Sequence, residues 1–76
     1  MITTERERAV AEAIGALDTV HRETVVLRFY SDLSYDEIAQ ASGVPLGTVK
    51  SRLFNGVQQC RRFLQQKGII GDNSFD

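Results

Sequence analysis

Residues 34–53, SYDEIAQASGVPLGTVKSRL, interrupt a helical pattern with Gly43 and with Pro45, the only proline in the chain. Pro45 has no N–H and a fixed φ, and it pushes Val44 out of the helical region. A helix must therefore end before it, and another can begin at it. Gly43 supplies a residue that tolerates positive φ. A short helix, a tight glycine turn and a second helix make a helix-turn-helix. Ser34 with Glu37 three residues on forms a capping box that opens the first of these helices. Two helices that cross closely need a small inward residue, and Ala39 provides it beside Ile38. Val44, Val49 and Leu53 then lock the second helix. The expected scaffold is Ile38, Ala39, Gly43, Val44, Val49 and Leu53.

The remaining sequence also reads as helix. Thr4 and Glu7 form a second capping-box pattern, followed by Ala9, Val10, Ala13, Ile14 and Leu17 at helical spacing. Asp18 suits the N-cap of a next helix, with Val20, Val25, Val26, Leu27, Phe29 and Tyr30 as its apolar residues. That stretch is rich in β-branched residues, but the charges of His21–Arg22–Glu23 break any two-residue alternation, so helix is expected. The last helix is expected from about 46 to 67, with Val49, Leu53, Val57, Cys60 and Leu64 as one apolar stripe and Phe54 on its flank. Gly56 interrupts it, at about 1 kcal/mol relative to alanine. Lys67, Gly68 and Ile69 fit a left-handed glycine stop with a hydrophobic contact behind it. The expected fold is all-α: one four-helix domain over residues 1–76, core about 4–67, a flexible tail over 68–76, and no winged element.

At 76 residues only one domain fits, and 42% hydrophobic with 25% charged residues is ordinary for a globular chain. No apolar run approaches the roughly 20 residues that span a bilayer, so no membrane insertion is expected. Met1 leads directly into a charged segment, unlike a signal peptide. Cys60 is the single cysteine, and a reducing, cytoplasmic setting is expected.

A net charge of −1 argues against nucleic acid, but its distribution does not. Residues 1–40 hold eight acids and four bases, whereas residues 41–70 hold five bases and no acid. Opposite the apolar stripe lie Gly47, Ser51, Asn55, Gln58 and Arg62, flanked by Thr48, Lys50 and Arg52. Such a face suits the major groove, where Lys, Arg and Asn meet base edges and Ser and Thr meet phosphates. The plainer alternative is a solvated face on an ordinary bundle. An enzyme is not indicated: His21 is the only histidine, Cys60 lies on the apolar stripe, and no glycine-rich phosphate loop or metal-spaced cluster stands out. No cofactor, metal or small-molecule substrate is expected.

The segments HRETVVLRFY (21–30) and LSYDEIAQASGVPLGTVKSRL (33–53) resemble region four of bacterial RNA polymerase sigma factors, nearest the extracytoplasmic-function group. The resemblance covers about residues 9–66. It implies a domain that reads the upstream, minus-thirty-five promoter element with its last helix, docks on the flap of the polymerase β subunit, and is held by an anti-sigma factor. Carried over by motif, it places Leu46, Gly47, Thr48, Lys50, Ser51, Arg52 and Asn55 at promoter DNA. It places Val26, Phe29 and Tyr30 on the partner-binding surface. Two features depart from the family pattern. FNGVQQCRRFL replaces a run rich in Arg, Lys, His and Ala, and Asp18 stands where a proline is usual. The effector domain of a response-regulator-type activator shares the LS…EIA…G…GTVK pattern. A module that binds only polymerase or an anti-sigma regulator, without DNA, is the alternative of a different class. A fragment of a larger factor and a stand-alone relative both remain open.

Overall fold

The computed structural model describes residues 4–70. Four helices follow in order: α1 Glu5–Gly15, α2 Thr19–Phe29, α3 Tyr35–Ser42 and α4 Leu46–Gln66. Among the described residues there is no strand, so the fold is the expected all-α helix-turn-helix class.

Three of the helices start on a side-chain cap. Thr4 Oγ1 accepts the Glu7 N–H, and the Thr4 hydroxyl donates to the Glu7 carboxylate at 3.0 Å. Asp18 Oδ1 accepts the His21 N–H and lies 2.7 Å from His21 Nδ1. Those bonds, the backbone one first, hold the Asp18 carboxyl below its ordinary value. At Ser34 the capping box is reciprocal: its Oγ accepts the Glu37 N–H, and the Glu37 carboxylate accepts the Ser34 N–H at 2.8 Å. The Glu37 carboxyl is lowered by the same backbone bond.

α2 is helical despite its β-branched residues, because its buried side has somewhere to go. Val25 is buried against α4, and the buried Thr24 hydroxyl is satisfied by the Val20 carbonyl at 2.9 Å. The main core draws on every helix and on the first link: Ile14, Leu17, Val25, Ile38, Val49 and Leu53. A smaller cluster of Ala9, Ala13 and Leu64 joins α1 to the far end of α4.

α4 ends as its sequence suggests. Gly68 takes φ +76, its N–H bonds the Gln65 carbonyl, and the Ile69 N–H bonds the Leu64 carbonyl. Ile69 and Ile70 are half-buried against the Ala9–Ala13–Leu64 cluster. Residues 71–76, including Phe75, lie outside the described residues.

Two residues of α4 sit differently from the sequence expectation. Phe54 is not tucked beside the apolar stripe but stands 64% exposed. Gly56 is buried under α2, where an added Cβ would lie 2.9 Å from Val25 Cγ2. The alanine comparison that makes this glycine look costly does not hold here, because an alanine would collide.

Candidate nucleic-acid interface

α3, the turn and α4 form the site. Ile38 and Val49 are fully buried and Leu53 nearly so, which clamps α4 to α3. Ala39 and Val44 are half-buried against the same core. Gly43 takes φ +68, and its N–H and that of Val44 both close back on the Ala39 carbonyl. Pro45 is the N-cap of α4, with φ −63 and no side-chain cap bond; its carbonyl accepts the Thr48 and Val49 N–H groups. All six expected scaffold residues therefore meet at one turn, Gly43 through its backbone and the others through their side chains.

This clamp leaves the opposite side of α4 bare. Gly47, Lys50, Ser51 and Asn55 are exposed there, Leu46 is exposed at the start of the helix on the side of Val49 and Leu53, and Thr48 and Arg52 lie half-buried along one edge. The seven expected contact residues thus divide into an open file, one half-buried edge of Thr48 and Arg52, and Leu46 at the helix start. α4 carries no acid anywhere, while Asp36 and Glu37 stand in the first turn of α3. Gly47 has open space around its missing Cβ, so a ligand backbone can approach closely there.

Phe54 completes this face and was missed by sequence reasoning. It lies four residues from Lys50 and three from Ser51, hence over the same side of the helix. That spacing was the available signal; its apolar character set it beside the stripe and kept it out of the contact set. Phe54 also borders a groove of about 460 Å³ shared with Phe29, Tyr35, Lys50 and Val57.

The α2–α3 link was also missed. Arg28 donates to the Leu33 carbonyl at 3.0 Å and lies 4.9 Å above the Tyr35 ring. This arginine straps α2 to the start of α3. Asp32 in the same link takes φ +58, a conformation that Asp tolerates better than most residues.

The expected partner residues separate. Phe29 and Tyr30 are 61% and 63% exposed, whereas Val26 is half-buried and packs on the main core. Phe29 and Tyr30 border an apolar cleft of about 400 Å³ with Val10, Ile14 and Cys60, between α1, α2 and α4. Burial pushes the Cys60 thiol up, away from the reactive thiolate. His21 faces Asp18 as part of a helix cap. Among the described residues no group of three or more His, Cys, Asp or Glu side chains is placed to hold a metal, and no helix is long and apolar enough to cross a membrane.

Comparison with known proteins gives a consistent result. Residues 7–60 match the family model "Sigma-70, region 4". The ECF RNA polymerase sigma-E factor of Haemophilus influenzae is 34% identical over 65 residues, covering 86% of this chain and 34% of that protein. The ECF RNA polymerase sigma factor SigK of Mycolicibacterium vanbaalenii is 33% identical over 60 residues, covering 79% and 31%. SigE of Mycolicibacterium smegmatis is 46% identical over 52 residues, covering 68% and 20%. The chain spans about a third or less of the length of these relatives.

Proposed function

This chain belongs to the sigma-70, region 4 family, and on that premise we propose that it reads the upstream promoter element through α4 while α1 and α2 hold RNA polymerase. The carrying observation is the acid-free α4 face from Gly47 to Asn55, held outward by the buried Val49 and Leu53, with Leu46 exposed at the helix start. Lys50 and Asn55 meet base edges in the major groove, Ser51 and Thr48 meet phosphates, and Arg52 reaches the backbone from the half-buried edge. Leu46 and Phe54 offer apolar contact to thymine methyls on either side of Lys50. Gly47 permits the close approach. The role is that of an initiation factor in the cytoplasm, not of an enzyme.

Phe29 and Tyr30, with Val10 beside them, supply the apolar surface for the β flap of the polymerase or for an anti-sigma factor. Their exposure also favours a second reading, in which the domain binds only protein and α4 no longer binds DNA. An amide NMR titration at low salt separates the two, with promoter duplexes added first and the β flap second. Shifts over residues 46–55 with duplex, fading as salt rises, support promoter reading. DNA silence with flap-induced shifts around Phe29 and Tyr30 supports the protein-only module. Silence with both sinks each reading.

A further inference from the structure

We infer that Gly56 is a positioning residue, whose missing side chain lets α2 seat directly on α4 and so sets the tilt at which the α4 face meets the groove. This rests on the promoter-reading role proposed above. Gly56 is the one described glycine with a neighbour against its missing Cβ: Val25 Cγ2 would lie 2.9 Å away, His21 Cβ 3.7 Å and the His21 carbonyl 3.8 Å. His21 and Val25 are one turn apart, so together they form a notch of α2 that the bare α4 backbone fills.

A methyl group enters the notch only if Val25 or the helices around it shift, although Val25 also borders the apolar cleft between α1, α2 and α4. Val25 is buried in the main core, and a valine in a helix has one strongly preferred rotamer. Overpacking a core forces side chains off their rotamers and shifts the backbone, and the stiff Val25 leaves most of the adjustment to the backbone. α2 would have to lift from α4, and the Arg28–Leu33 strap would carry α3 with it. α3 and α4 share Ile38, Val49 and Leu53 at the turn, so lifting α3 disturbs the packing that holds the α4 face outward and the angle at which the domain presents it. Contacts to single phosphates survive such a tilt, but simultaneous base contacts do not.

The test uses Gly56→Ala and the double variant Gly56→Ala with Val25→Ala, which removes the colliding methyl. Two readouts are needed: the α2–α4 orientation in the free protein from residual dipolar couplings, and discrimination between a duplex selected by the wild type and its scrambled form. We expect Gly56→Ala to turn α4 relative to α2 and to lose about tenfold or more in discrimination, the equivalent of one good base contact, while scrambled-duplex affinity holds. The double variant should regain both. Gly56→Ala with wild-type orientation, or with a changed orientation and undiminished discrimination, overturns the inference. So does a folded double variant that stays turned or unselective, which is the deciding arm if the single variant does not fold. Absence of salt-dependent duplex binding by the wild type would instead remove the promoter-reading role, and the orientation readout alone would still judge Gly56.

Discussion

The two halves of α4 share one apolar stripe and do different work. The half before Gly56 is anchored beneath by Val49 and Leu53 and keeps its outer side open, with Lys50, Ser51, Phe54 and Asn55 facing solvent. The half after it is wedged between α1 and α2, where Leu64 joins Ala9 and Ala13 and Lys67 pairs with Glu12 at 3.8 Å. The difference teaches that a helix keeps a face free for a ligand where it has neighbours on one side only. The same residues enclosed on two sides would be a core.

Removing the anchors breaks the comparison most severely. Leu53→Ala and Leu64→Ala each delete a buried side chain and should cost about 2–5 kcal/mol in urea unfolding. In a domain this small that is a large share of the total. Leu53→Ala should also blur NMR shifts over residues 46–55, whereas Leu64→Ala should disturb α1 and leave the reading face intact while folded.

Next come the bases of the open half, the exposed Lys50 and the half-buried Arg52. Lys50→Ala and Arg52→Ala should change stability by about 0.5 kcal/mol or less, while each lowers duplex affinity and reduces the log–log salt slope by about one. A fluorescence anisotropy titration at several salt concentrations measures both. An unchanged slope for both variants would take them out of the interface. Arg62→Ala, exposed on the enclosed half, is the matched control and should alter the slope less.

Ser34→Ala removes the cap that starts α3 and should cost about 1 kcal/mol, read by thermal unfolding. The caps also set a pH dependence. Asp18 and Glu37 have folded values below their ordinary 3.8 and 4.5. Their stabilisation is therefore complete above those ordinary values and is lost as pH falls through the lower folded ones. A melting series from pH 6 down to about 2 should show it, with the Ser34→Ala loss shrinking as Glu37 protonates. The smallest effect expected is a gain. Asp32→Gly should stabilise by a few tenths to about 1 kcal/mol, because glycine meets φ +58 without strain.

Much of this fold was legible in the chain. Thr4, Asp18 and Ser34 begin helices where their side chains can reach an N–H three residues on, and Gly43 and Gly68 end helices where only a left-handed residue closes the last turn. The scaffold of the turn followed from the same short spacings, as did most of the polar α4 face, whereas the set from Leu46 to Asn55 came from the family resemblance. Less legible was the fate of individual apolar residues. Val26 and Phe29 lie in one helix, yet Val26 packs on the core and Phe29 stands in solvent. Phe54 was expected on the flank of the stripe and stands exposed on the open side of α4.

Caps, turns and helical period depend on groups within about five residues of one another, so the amino-acid order alone determined the four helices, their ends and the helix-turn-helix. Which sides of those helices remain open depends on contacts between residues far apart in the chain. Gly56 and Val25 are the sharpest case. Nothing near position 56 calls for a glycine, and the need for one arises only when α2 lies down on α4 and leaves no room for a methyl group.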